Sequence, residues 1–151
     1  MNTRLSETKS DSLLKTLAQF RYEVRRFLHF SERAALRAGL QPQQHQLLLQ
    51  VAGAPETIAV TIAYAAERLG LKHNSTVELV DRSEREGLLT RTADAEDRRR
   101  AILRITRKGR LVLGRLAGDH ARELKVLAPR LALSLENINV HAHSSVRTEA
   151  R

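Results

Sequence analysis

Residues 87–109 read GLLTRTADAEDRRRAILRITRKG. Two short strand-like runs, Leu88 to Thr92 and Ala101 to Ile105, flank the polar segment Ala93 to Arg100. Apolar and β-branched residues on either side of a polar stretch predict a β-hairpin with a long charged tip. Thr106 follows the second run and precedes a long apolar-periodic segment. That is an N-cap position, where a hydroxyl can accept from an amide that the first helical turn leaves unpaired.

Working toward the N-terminus, a helix is expected from His73 to Glu86, ending at Gly87, and a shorter one from Ile62 to Leu69, capped by Thr61 and ended by Gly70. Two short helices joined by a glycine-containing turn form a helix-turn-helix. Before them, Pro42 suits the first turn of a helix whose apolar run Leu47, Leu48, Leu49, Val51 and Ala52 stops at Gly53. Between Ser12 and Ala38, the residues Leu13, Leu17, Phe20, Val24, Phe27, Ser31 and Ala35 recur at steps of three and four, a helical stripe closed by Gly39. On the C-terminal side, the helix capped by Thr106 is expected to run to about Leu127, with Pro129 starting a further short helix. Residues 137–151 show no period and are expected to form a mobile tail, as are residues 1 to about 10.

The expected fold is mainly α with a small β-hairpin wing: one domain over residues 1–151, in which a winged helix-turn-helix at 41–105 lies between long terminal helices at 12–38 and 107–136. A small middle module cannot cover the apolar stripes of both terminal helices. A second copy can, through an interface of the class that buries more than ~2,000 Å², so a homodimer is expected.

Composition narrows the partners. The chain has 151 residues, 42% of them hydrophobic, and 26 Lys plus Arg against 17 Asp plus Glu give a formal charge of +9. An excess of that size implies an acidic partner, nucleic acid or an anionic membrane. No apolar run reaches the ~20 residues of a membrane span, and MNTRLSETKSDS lacks the apolar centre of a signal peptide. A cytoplasmic protein without membrane attachment is expected. The absence of cysteine removes disulfides, thiolate metal sites and Cys nucleophiles together. The six histidines contain no i, i+4 pair, and no phosphate-cradling glycine loop or strand-Ser-helix elbow occurs. Neither enzymatic activity nor a cofactor or metal is expected.

Residues 67–109, ERLGLKHNSTVELVDRSEREGLLTRTADAEDRRRAILRITRKG, resemble the winged helix-turn-helix of the MarR family of transcriptional regulators. The wing carries most of the likeness: Asp97, Arg98 and Arg99, then a strand, then Ile105, Thr106, Lys108 and Gly109. Leu69-Gly70-Leu71, Leu79-Val80-Asp81-Arg82 and Gly87-Leu88 extend it, and the element order carries it over about residues 12–136. Lys72 departs from the Ser or Asp common at the helix start. Val77 and Glu78 stand where many members have Thr and Arg, so base readout unusual for the family is implied.

A reading helix enters the major groove with its N-terminal half and one face, here His73, Asn74, Ser75, Val77, Glu78 and Arg82. Asn74 suits adenine, Val77 a thymine methyl and Glu78 cytosine N4. Four acids against two arginines between His73 and Glu86 give this helix no net attraction for phosphate, whereas the eight Lys or Arg and three acids from Arg91 to Arg110 do. Arg98, Arg99 and Arg100 are candidates for phosphate or minor-groove contact, with strand alternation turning at least one away and favouring Arg98 or Arg99. The resemblance implies that Asp97 pairs with an arginine and organises the tip. Two reading helices in a dimer predict a pseudo-palindromic double-stranded site.

Four of the five aromatics, Phe20, Tyr22, Phe27 and Phe30, fall on the first helix. The resemblance implies a small aromatic or anionic effector, for which Tyr22, Arg25 and His29 are candidates; packing alone also explains the cluster, since Phe20 and Phe27 share one stripe. Two functions remain: a sequence-specific regulator, of the repressor type and released by an effector, or a winged-helix protein-interaction module with non-specific nucleic-acid binding.

Overall fold

The computed structural model describes the backbone of residues 2–146 and the side chains of residues 10–140. The elements run α1 (Asn2–Arg37), α2 (Pro42–Ala52), α3 (Ile62–Leu69), α4 (His73–Arg85), β1 (Leu89–Ala93), β2 (Ala101–Ile105) and α5 (Arg107–Val146). This is a winged helix-turn-helix with a two-stranded antiparallel wing, Leu89 facing Ile105 and Ala93 facing Ala101. None of the described helices is long and apolar enough to cross a membrane.

Where one domain was expected, the chain divides into two compact units, residues 1–31 with 120–151 and residues 32–119. Helix length is the physical reason. The 36 residues of α1 and the 40 of α5 correspond to roughly 54 and 60 Å at 1.5 Å per residue, about twice the span of a small domain.

α5 is also longer than expected. It passes Pro129 without a break and continues to Val146 over positions expected to be a mobile tail; residues 147–151 lie outside the described residues. Proline removes one hydrogen bond, to the carbonyl of Lys125. Both residues are exposed, so water can take that carbonyl while the flanking turns keep their own bonds. α1 likewise begins at Asn2, ahead of the Ser12 where its stripe becomes readable.

The unit of residues 32–119 is built on buried Leu47, Leu48, Ala65, Leu79, Val80, Leu88, Leu89 and Leu103. Its connections follow from capping chemistry. Thr61 Oγ1 accepts from the Tyr64 amide at 3.2 Å and starts α3. The adjoining Val60 carbonyl accepts from Leu103 N–H at 2.8 Å, so residues 60–61 border β2 as a single bridge. α4 ends at Gly87, whose φ of +70° suits a residue without Cβ; the amide of Leu88 then reaches back to Ser83 O at 2.9 Å, the Schellman closure.

The start of α5 locks onto that same turn. Thr106 Oγ1 accepts from the Gly109 amide at 3.1 Å and donates to the Gly87 carbonyl at 2.7 Å, while Lys108 Nζ donates to the Glu86 carbonyl at 2.7 Å. A Cβ on Gly109 would collide with the Leu88 carbonyl oxygen and lie 2.9 Å from Ile105 Cγ1. The first contact is with backbone, which cannot rotate aside. Gly109→Ala is therefore expected to destabilise the protein by about 1–3 kcal/mol or more. Gly114→Ala, where nothing beyond the adjoining helix backbone and chain neighbours lies within 4 Å of the added Cβ, is expected to raise stability by about 0.5–1 kcal/mol. Thermal melts of the two variants should shift in opposite directions; equal shifts would refute the close-packed junction.

Candidate nucleic-acid interface

α4 buries Thr76, Leu79, Val80 and Ser83, a spacing of three, one and three that defines one face. The opposite face is set by that burial. His73, Asn74, Ser75, Glu78 and Arg82 are exposed and Val77 is half-buried, so the six expected readers surround the outward side, with Asn74, Glu78 and Arg82 on successive turns. Arg85 is exposed beyond them and was not anticipated. Lys72 gives the helix no side-chain cap.

The acids of this region are mostly engaged. On β1, Arg91 shares the core-facing side of Leu89 and so points at α4. Its guanidinium reaches Asp81 Oδ1 at 2.7 Å and Glu84 Oε2 at 2.6 and 2.9 Å, and its amide donates to Glu84 Oε1 at 3.0 Å. Glu86 accepts from Gln44 Nε2 at 2.9 Å, and Gln44 is itself buried. Among the described residues the Glu78 side chain enters no ion pair or hydrogen bond, which leaves it as the unpaired acid at the centre of the exposed face.

At the wing tip, the expected pairing of Asp97 with an arginine side chain does not form. Asp97 Oδ1 accepts from the Arg99 amide at 3.0 Å, and its carbonyl accepts from the Arg100 amide at 2.9 Å, an Asx turn that shapes the tip through backbone. Asp94 is the acid that holds the arginine: its Oδ2 accepts from Arg100 Nε at 2.9 Å and its Oδ1 from the Glu96 amide at 3.0 Å. The reason is register. Asp94 and Arg100 continue the β1–β2 ladder, with Asp94 N donating to Arg100 O at 3.0 Å, and a cross-strand pair of opposite charge is favoured. The Glu96 amide first, and Arg100 second, hold Asp94 below the usual carboxylate range. Of the three candidate arginines, all exposed, Arg100 is thus paired with Asp94, while Arg98 and Arg99 enter no ion pair among the described residues.

The candidates on α1 lie in the other unit. Tyr22, Arg25 and His29 are exposed, and Arg26 sits 5.9 Å from the Tyr22 ring. Phe27 and Phe30 instead pack edge-on against His120, at 5.8 and 5.5 Å between ring centres, and His120 Nε2 lies 2.8 Å from Ser31 Oγ. A groove of about 880 Å³ lies in the unit of residues 32–119, between the 51–60 segment and the wing, and Tyr22, Arg25 and His29 do not line it.

Comparison with known proteins places this arrangement. Residues 38–100 match the MarR family. The PcaV transcriptional regulator from Streptomyces coelicolor is 30% identical over 72% of this chain and 74% of its own, with a TM-score of 0.51. The chain belongs to the MarR family. The fold extends further than the matched segment: a MarR family transcription regulator superposes over 95% of this chain and 94% of its own at TM-score 0.73 and 19% identity. MepR from S. aureus, solved as a complex with DNA, covers 87% of this chain and 95% of its own at TM-score 0.66 and 19% identity. No curated protein matches the sequence.

Within this MarR-family scaffold, Arg91 and Asp94, like Arg85, are residues that sequence reasoning passed over. Arg91 carried a signal. Asp81 and Glu84 are three apart on α4 and so share a side, and a lone arginine on the inward side of an adjoining strand is their natural partner. Glu84 is held below its ordinary value by the Arg91 side chain first and the Arg91 amide second. A depressed carboxyl stabilises the folded state above its unfolded pKa, and that contribution is lost as pH falls through the lowered folded value. A carbon-detected NMR titration should find the Glu84 midpoint below that of the same residue in Arg91→Met, and identical midpoints would eliminate the clamp.

Proposed function

We propose that this MarR-family chain is a sequence-specific, double-stranded DNA-binding transcription regulator that acts as a homodimer in the cytoplasm. The observation that carries the reading is the pairing, within one compact unit, of an outward helix face holding Asn74, Glu78 and Arg82 with a wing tip where the Arg98 and Arg99 guanidinium groups enter no ion pair among the described residues. The helix supplies groups for base edges and the tip supplies charge for phosphate or the minor groove.

The dimer rests on exposed apolar surface. Leu14, Val126, Leu133 and Val140 on the terminal helices are 60, 63, 60 and 65% exposed, more than isolated surface leucines explain and suited to burial by a second copy. Two reading helices held roughly 34–36 Å apart would meet successive major grooves, so the operator is a pseudo-palindrome. Repression follows if that site overlaps a promoter. An aromatic or anionic effector, taken beside Tyr22, Arg25 and His29, would release DNA by favouring a dimer with a mismatched groove spacing, a coupling of about 1–3 kcal/mol. PcaV was solved with its natural ligand, which supports looking for one here. The alternative of a protein-binding module rests on the acidity of α4. With Asp81 and Glu84 on Arg91 and Glu86 on Gln44, little free acidic surface remains for it.

Selection of genomic fragments by the purified protein should return a pseudo-palindrome; no enrichment would refute the reading. On that fragment, Arg98→Ala with Arg99→Ala should weaken binding to all duplexes and flatten the salt dependence by up to about 0.9 in log–log slope for each phosphate no longer neutralised. An unaltered slope excludes the wing contact. Glu78→Ala should change the preferred base at one position in each half-site, and a repeat selection returning the original site would remove Glu78 from the readers. Sedimentation should give twice the chain mass, with a monomer at micromolar concentration counting against the whole scheme.

A further inference from the structure

The hairpin is seated in the core by Leu89 and Leu103 and makes few polar contacts that fix its angle to α4. It has two strands, bordered by one bridge at Thr61, and a two-stranded hairpin is marginal in isolation. Past the turn at Gly87, the side-chain hydrogen bonds and ion pairs joining α4 to the hairpin among the described residues all come from Arg91. They comprise the guanidinium contacts to Asp81 and Glu84 at 2.6–2.9 Å and the Arg91 amide on Glu84 Oε1 at 3.0 Å, of which only the first depend on the side chain. These carboxylates sit three residues apart on the helix, so the planar guanidinium bridges two points along its axis and fixes direction as well as distance. Three of the five guanidinium N–H groups of Arg91 are directed at these carboxylates, which neutralise its charge.

We infer that Arg91 is a positioning residue for site selection: by holding the wing at one angle to the reading helix, it makes base contacts and phosphate contacts occur together. This inference rests on the DNA-binding reading above. Base edges discriminate only when the helix sits in one register, and the backbone contacts set that register. With the clamp gone, Arg98 and Arg99 still attract any duplex, and the helix no longer enters at a defined angle.

Removing Arg91 also exposes two carboxylates, so a loss of affinity by itself would not separate geometry from charge. Four proteins do: the natural chain, Arg91→Lys, Arg91→Met, and Arg91→Met with Asp81→Asn and Glu84→Gln. Each is titrated at one salt concentration against the duplex selected by the natural chain and against a scrambled duplex. The expected ratio of the two affinities falls about tenfold in Arg91→Met, the size of one mismatched base pair, and partly recovers in Arg91→Lys, which keeps one ion pair. In the triple variant the scrambled-duplex affinity recovers because the stray charges are gone, while the ratio stays low. Hydrogen exchange without DNA should show faster wing amides, residues 89–93 and 101–105, in Arg91→Met and the triple variant, with α2 amides unchanged as proof of folding. If Arg91→Met does not fold, Arg91→Lys carries the same comparison. A ratio unchanged in Arg91→Met, or restored in the triple variant, overturns the inference while leaving the DNA-binding reading standing. A natural chain that prefers no duplex overturns both.

Discussion

The junction of helix and wing in the unit of residues 32–119 depends on the close approach of Gly109 to the Leu88 carbonyl. At that point the end of α4, the start of β1, the end of β2 and the start of α5 meet within one turn. Thr106 and Lys108 take up the carbonyls of Gly87 and Glu86 that the helix end leaves open, and the absent side chain of Gly109 lets the new helix approach closely enough for them to do so. The Thr-x-Lys-Gly run therefore has a mechanical meaning independent of any DNA contact: it ties the origin of the wing to the end of α4. What the hairpin does beyond that anchor is decided by side chains further along it.

Much of the architecture could be read from the chain because its boundaries are made by local chemistry. α3 and β2 occupy the expected spans, and α2 and α4 end within a residue of theirs, since Thr61, Pro42, Gly70 and Gly87 act through their own backbone or a neighbour two or three residues away. The misreadings are at places where a local cost is outweighed by longer-range continuity. Pro129 forfeits one hydrogen bond in a helix of 40 residues, and a rule about proline alone does not weigh that against the many that remain. The beginning of α1 and the end of α5 lack a readable stripe, and no period in residues 137–146 announces a helix that follows from the one before it.

The site was legible as a set of residue types and less so as a set of pairings. The outward face of α4 follows from helical periodicity, and the structure puts the expected readers there. Which acid holds which arginine depends on strand register, a long-range property. Asp97 has the motif position, yet Asp94 faces Arg100 across the ladder. The acidity of α4 counted as repulsion when read along the chain; folded, Asp81 and Glu84 face Arg91 and serve to join helix to wing. Glu78 keeps its charge exposed, where a carboxylate is unfavourable near phosphate and is tolerated opposite a base-edge donor such as cytosine N4.

The Asp94–Arg100 closure changes what kind of object the tip is. A loop with three free guanidinium groups would act as a diffuse cationic cloud, holding any polyanion at many angles. With Arg100 consumed and the backbone pinned by the Asp97 turn, the remaining charge is confined to two neighbouring residues on a stiffened finger. Under the proposed function such a finger would fit a narrow furrow in few orientations, and the local width of the duplex would enter its affinity without a base contact.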